Sequence, residues 1–474
     1  MSYLYEEIAS EIENQILRGT VRAGDRIPSV RRLSERKKVS VSTVLQAYLA
    51  LEGRGLIESR PQSGYFVRAV ALDRSPEPTL TSAEKSPTSI GVCDLARSVM
   101  TADIRPGVFG FASAEIAPEL LPTAEIQRAI HTASREMGAE MHRYFRPPGH
   151  PELVRAVANR LLGFGCPVDP SELTITIGGM EALNLAVRAV AKSGDCVLVE
   201  SPTYYGILQV LEGLGIRAIE IPMDPRTGLD LDTLKKVLER SSPKALICVP
   251  DFQNPLGSRM SADRKLDLYR LAVKHDLPII EDFVYGELAY DGDLCRTIKQ
   301  FDKKGLVMLL SSFSKSLSPG LRTGWIAGGR FAQIIQNLKF VNTLSNPGLL
   351  QAATALCLKS GVYDRQLKRL RPKLQSQMLS MQSAVGRAFP EGTKFTRPTG
   401  GFVLWVELPD RLAGRGPTDV MEIYADALRA GISFAPGPIF SASGRFRNCF
   451  RLNCGGPFTA ETERAIARLG DLCR

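Results

Sequence analysis

Lys315 stands in the word SSFSKSLSPGLRTGW, Ser311 to Trp325, among small hydroxyl residues and ahead of a Pro-Gly turn and Arg322. A surface lysine needs no such setting. A lysine amine that attacks a carbonyl needs desolvation and neighbours that lower its proton affinity. Other residues of chemical use follow short apolar runs in the same part of the chain. LTITI leads into Gly178 and Gly179 at a helix start, where backbone amides approach an anion. CVLVE leads into SPTYYG, which places Tyr204 at a rim, and ALICV leads to Asn254 in a turn held by Pro255. LPIIED ends on Asp282 with Tyr285 three residues on, and VMLLSS ends on Ser312, with Ser314 and Lys315 next. Singly, each has a plain structural reading: a turn, a core tyrosine, a salt-bridged aspartate, a surface lysine.

The apolar runs alternate with helical segments such as MEALNLAVRAVAK and SADRKLDLYRLAVKHD. Alternation of this kind predicts a largely parallel sheet covered on both faces, an α/β fold. Ligands of such sheets bind beyond the carboxyl ends of the strands, where this set of residues falls. Pyridoxal 5'-phosphate (PLP) asks for that set: amides, hydroxyls and an arginine for its phosphate, a carboxylate for its ring nitrogen, donors for its phenolic oxygen, an aromatic face, and a lysine to form an imine. Asp282, Tyr285 and Lys315 are the expected catalytic groups.

The chain has 474 residues, enough for two to four folding units at roughly 150 residues each. It is 44% hydrophobic and 23% charged, the balance of a soluble globular protein. No apolar run reaches the ~18 residues that span a bilayer, and the acidic start MSYLYEEIASEIENQ does not resemble a secretory leader. The expectation is a cytoplasmic protein. Nine cysteines lack paired spacing, so neither a disulfide framework nor a zinc site is expected. The formal charge of +10 permits nucleic-acid binding without requiring it.

The densest basic run, SVRRLSERKK, reads alone as a solvated helix face. Its neighbours change that reading. Ile8, Ile12 and Ile16 make an apolar stripe on a first helix, Ser29 caps a second, and Ser40 caps a third on which Val44, Ala47, Tyr48 and Leu51 recur at helical spacing. LIESRPQSGYFV then reads as a hairpin, a wing behind a helix-turn-helix. Ser40, Ser42 and Thr43 sit at the helix end that enters a major groove, and Arg31 can meet a phosphate or a guanine. A three-helix protein-interaction module is the alternative. After this region the Pro-, Ser- and Thr-rich DRSPEPTLTSAEKSPTS reads as an extended linker. The expected units are residues 1–68, a linker over 69–105, and 106–474.

AGDRIPSVRRLSERKKVSVSTVLQAYLALEGRGLIESRPQSGYFV resembles the winged helix-turn-helix of GntR-family bacterial regulators. The resemblance adds Gln62, Ser63 and Gly64 of the wing as DNA contacts. Val41 stands where many relatives have arginine. From about Phe109 onward the chain resembles fold-type I, aspartate aminotransferase-like PLP proteins, with a smaller C-terminal α+β subdomain. The two together resemble the MocR subfamily. That resemblance assigns Lys315 to the cofactor imine, Asp282 to the ring nitrogen, Asn254 and Tyr285 to the ring oxygen, and Tyr204 to the ring face. It assigns Gly179, Met180, Ser312, Ser314 and Arg322 to the phosphate. YFRPPGHPELVRAVANRL brings in Tyr144, for the phosphate of a neighbouring subunit. FRLNCGG brings in Arg451, for the effector carboxylate; a salt bridge to Asp or Glu is the other reading of that arginine. Glu181 stands where the family often has glutamine, and FASAEI, which should line the ligand pocket, departs from the family's usual form. The resemblance implies a head-to-tail homodimer that binds an operator duplex. A regulator sensing a small amino compound, or PLP itself, and a working aminotransferase with an accessory DNA-binding head both remain open.

Overall fold

The computed structural model describes residues 4–17, 21, 25–53, 56–60, 63–67, 76–81, 86–292, 295–412 and 416–474. The head opens with helices α1 (Leu4–Leu17), α2 (Val30–Lys37) and α3 (Val41–Gly53). Ile8, Ile12 and Ile16 are buried in one cluster with Leu33, Val44 and Leu51. Helices this short are marginal alone, and burial worth about 1.5–3 kcal/mol per large aliphatic side chain holds them together. Ser29 Oγ caps α2 by accepting from the Arg32 amide at 3.3 Å. Lys38 turns the chain in the left-handed region, φ 53°, and Ser40 Oγ accepts from the Thr43 amide at 3.1 Å to open α3. Strands β1 (Ile57–Arg60) and β2 (Gly64–Val67) pair antiparallel, Ile57 opposite Val67. Tyr48 ties α3 to this wing. Its ring lies edge-on to Tyr65 at 4.9 Å, and its hydroxyl donates to the Pro28 carbonyl at 2.6 Å.

The large sheet has eight strands: β3 (Leu173–Thr176), β4 (Cys196–Ser201), β5 (Arg217–Asp224), β6 (Gly228–Leu229), β7 (Leu246–Cys248), β8 (Ile279–Asp282), β9 (Val307–Ser312) and β10 (Gly324–Ala327). Their spatial order is β3-β10-β9-β8-β7-β4-β5-β6. Strands β9, β8, β7, β4 and β5 are mutually parallel. β10 is antiparallel to both its neighbours, so β3 runs with the parallel set, and β6 folds back on β5 at the edge. Val197 and Val199 enter one core while Leu198 enters the other. Both faces are dry, so these strands read as continuous apolar runs.

A second, antiparallel sheet joins β11 (Lys394–Phe395), β12 (Val403–Glu407), β14 (Cys449–Asn453) and β13 (Ala435–Pro436), in that order. Leu404 and Phe450 of this sheet share a core with Met378, Ile423 and Ile466 of the helices Val362–Ala388, Val420–Arg429 and Ala460–Leu472.

The stretch 69–105, expected as an extended linker, is not one throughout. Cys93–Asp103 is a helix with Ala96, Val99 and Ala102 buried. Thr88 and Ala218 exchange backbone hydrogen bonds, and the Thr81 amide donates to the Met223 carbonyl at 3.1 Å. Proline, serine and threonine masked a segment that lies against the sheet, and the three-residue spacing of Ala96, Val99 and Ala102 was its helical signal. Among the described residues no helix is long and apolar enough to cross a membrane.

Candidate functional site

Parallel strands that end at one edge deliver there whatever follows each of them. A cavity of about 430 Å³ opens at that edge, and Gly179, Met180, Tyr204, Asn254, Asp282, Tyr285, Ser312, Ser314, Lys315 and Arg322 all line it. Arg322 arrives by another route. The antiparallel pairing of β9 and β10 sets Ser312 opposite Gly324, so the chain returns to the edge it left.

One end of the cavity gathers groups that suit an anion. The helix Gly178–Val190 starts there and directs its N-terminal amides and dipole at the space. Gly178 has φ 72°, and a Cβ on it would lie 2.6 Å from Arg322 Nη2. The close approach of guanidinium and helix start therefore requires glycine. Ser312 and Ser314 share a hydroxyl hydrogen bond of 2.7 Å beside it. Glu181, one turn into this helix, does not face the anion end. Its carboxylate accepts from Lys339 Nζ, Thr343 Oγ1 and the Ile177 amide, each at 2.7 Å.

In the same cavity, burial holds the Lys315 amine well below its ordinary value, at about 8; Glu115 and Asp282 oppose the shift, and Arg451 and Arg322 add to it. Lys315 Nζ donates to the Ala114 carbonyl at 2.6 Å. Burial pushes the Asp282 carboxyl up to about 6, against the Val284 amide that donates to it at 2.9 Å and the charge of Lys315. Asn254 Nδ2 donates to the Tyr285 hydroxyl at 3.4 Å. Arg451 Nη1 donates to Asn254 Oδ1 at 3.0 Å, and Nη2 donates to the Ala112 carbonyl. The Arg451 side chain is wholly buried over the Phe440 ring, 5.3 Å from its centroid, and its Nε has no partner. Among the described residues no carboxylate pairs with it. A buried guanidinium without a counter-ion is costly, and the salt-bridge reading of Arg451 finds no support here.

Tyr144 lies outside the cavity and is 70% exposed. In the head, Arg31, Ser40 and Ser42 are exposed and Thr43 is half-buried. Ser40 Oγ also bonds the Ser42 and Thr43 hydroxyls, at 2.8 and 2.7 Å. Ser63 lies in the wing turn and Gly64, at φ 99°, opens β2; Gln62 lies outside the described residues. Sequence reasoning missed several cavity residues. Met100 and Ile104 come from the stretch expected to be linker, and Tyr205, which donates to Met100 Sδ at 3.1 Å, is the second ring of the word SPTYYG. Ser113, Ala114 and Glu115, from FASAEI, do line the cavity.

Residues 117–469 match the family model for aminotransferase class I and II, and residues 4–67 match the gntR family of bacterial regulatory proteins. The chain is 37% identical over 472 residues to YjiR, an HTH-type transcriptional regulator of Escherichia coli K12, covering 98% of each chain. It is 33% identical to a 2-aminoadipate transaminase of Thermus thermophilus, over 79% of this chain and 92% of that one. Among solved structures, the α-aminoadipate aminotransferase LysN of Thermus thermophilus, complexed with N-(5'-phosphopyridoxyl)-L-leucine, superposes with a TM-score of 0.72 at 30% identity, covering 80% of this chain and 93% of that one. A multiple-substrate aminotransferase of Thermococcus profundus gives 0.73 at 29% identity, covering 80% and 94%.

Proposed function

The chain belongs to the aminotransferase class I and II family and carries a GntR-type head, the combination of MocR-type regulators, and on that footing we propose that it is a PLP-dependent transcriptional regulator that senses a small amino compound. The observation that carries this reading is Arg451. A fork-shaped cation is held buried and without a counter-ion in contact with Asn254, which itself lines the cavity of Lys315 and Asp282. A carboxylate matches that fork bidentately.

The residues fit the cofactor. Gly179, Met180, Ser312, Ser314 and Arg322 would hold its phosphate, Asp282 its ring nitrogen, Asn254 and Tyr285 its ring oxygen, and Tyr204 its face. When bound, PLP supplies an electrophilic carbon for amines and an electron-withdrawing ring. The chain's part is to present Lys315 with an amine that gives up its proton more readily than an ordinary lysine, so that a larger share is neutral near physiological pH, and to keep a carboxylate at the ring nitrogen. Arg451 selects amines that also bear a carboxylate. Tyr144, exposed on one protomer, would complete the phosphate site of its partner in a homodimer. The head would bind an operator through Arg31, Ser40, Ser42, Thr43 and the wing residues Gln62, Ser63 and Gly64, residues 1–68 serving as the DNA-binding unit and the rest as sensor. The alternative, an aminotransferase with an accessory head, gains support from the transaminase relative but leaves α2, α3 and the wing without a task. Selection of duplexes from a randomised pool by the purified protein, with and without PLP, tests the reading. Recovery of one sequence family supports it, and recovery of none refutes it.

A further inference from the structure

We infer that α3 reads A·T base pairs, by covering thymine methyl groups, and does not read guanine. This rests on the DNA-binding reading of the head. The helix, VSTVLQAYLALEG, contains no lysine or arginine; Glu52 is its one charged residue. Val44, Ala47, Tyr48 and Leu51 face the core and are fully buried. On another face Val41, Leu45 and Leu49 recur every fourth residue and are 50%, 40% and 54% exposed. Residues at this spacing form one line along a helix, so the stripe is continuous, with Ser42 and Gln46 exposed beside it.

An apolar line in water needs a cover, and its surroundings say which. The preceding helix exposes Arg31, Arg32 and Arg36, and Lys38 of the turn is exposed too. That cationic surface suits phosphates on either side of a groove. Inside the major groove the one apolar feature of a base edge is the C5-methyl of thymine, and a glutamine can bond adenine N6 and N7. Guanine is read by arginine or lysine at O6 and N7, and α3 offers neither. Val41 stands at the helix end that goes deepest, with Leu45 one turn behind it. The division of labour is then α2 and the turn for the backbone, and α3 for A·T steps through methyls and Gln46.

The test takes the full-length protein with duplexes enriched from a randomised pool, then replaces deoxythymidine by deoxyuridine one position at a time. Enriched half-sites should carry A·T pairs at their centre. Each contacted methyl removed should weaken binding about fourfold, the equivalent of ~0.8 kcal/mol per buried carbon. In Val41→Ala/Leu45→Ala that sensitivity should vanish while the salt dependence of binding stays. Guanine-centred half-sites, or indifference to the methyl in the wild type, would overturn the inference alone. A pool with no enrichment would overturn the DNA-binding reading with it. If the double variant changed dimer dissociation and left the deoxyuridine response intact, the stripe would belong to a second copy of the chain and the inference would fail.

Discussion

Replacing Arg451 by methionine should leave the ligand-free protein nearly as stable as wild type and yet remove its grip on carboxylates. Two sets of terms decide the stability. Removing an unpaired buried cation relieves a desolvation penalty of several kcal/mol, and methionine has similar reach over the Phe440 ring. Against this, Asn254 Oδ1 and the Ala112 carbonyl lose their donors, at about 1–3 kcal/mol each. The opposing terms leave the variant within about 2 kcal/mol of wild type. A structural salt bridge would instead cost ~3–5 kcal/mol when broken. For the ligand, two charge-assisted hydrogen bonds at about 1.5–3 kcal/mol each set the scale. At their lower end, ~3 kcal/mol is a loss on the order of 10²-fold. The assay compares two probes by calorimetry on cofactor-free protein: phosphopyridoxyl-L-leucine, and the same adduct made with 3-methylbutylamine, which lacks the carboxylate. Wild type should prefer the first by about 10²-fold and Arg451→Met should not discriminate. A variant that unfolds several kcal/mol more easily, or that keeps the preference, refutes the argument.

Lys315→Ala should fold normally and lose all PLP that borohydride can fix to the chain; fixation at another lysine, mapped by peptide mass, would displace Lys315. In wild type, capture of PLP needs the unprotonated amine, so its rate should rise about tenfold per pH unit below pH 8 and flatten above it, because the amine is held at about 8. A rate still climbing steeply between pH 9 and 10 contradicts that environment. Arg31→Ala and Thr43→Ala should each weaken operator binding without altering the PLP spectrum. The phosphate contact at Arg31 should lower the salt slope by about one for all sequences; a loss of ~1–3 kcal/mol confined to one base pair would instead mark a guanine contact and refute that assignment.

Much of the site was legible because its residues follow strands. A parallel sheet makes each strand end a fixed address, so Gly179, Tyr204, Asn254, Asp282 and Lys315 could be placed from the apolar runs before them. The head was legible from helical spacing: Ile8, Ile12 and Ile16, then Val44, Ala47, Tyr48 and Leu51, all reach the core. What was not anticipated lacks such an address. β10 runs against its neighbours after a hairpin and keeps only four residues, GWIA. β5 mixes Arg217, Glu220 and Pro222 into a buried strand. Glu220 is tolerated there because Ser201, Ser441, Ser443 and the Ala442 amide donate to it. The helix Cys93–Asp103 followed a polar, proline-rich stretch, and its contribution to the cavity through Met100 was lost with it. The partner of Arg451 could not be read from sequence at all, since Asn254 lies 197 residues away on another sheet's edge.

Amine binding in the cavity should change how the head holds DNA. One preparation of the intact, PLP-loaded protein should be given one carboxylate-bearing amine that binds it, and assayed twice: for turnover with a keto acid, and for affinity toward its selected duplex. The amine should shift DNA affinity in wild type and not in Arg451→Met, with slow or absent turnover. Rapid multiple turnover, with DNA affinity the same whether or not the amine is present, would contradict it.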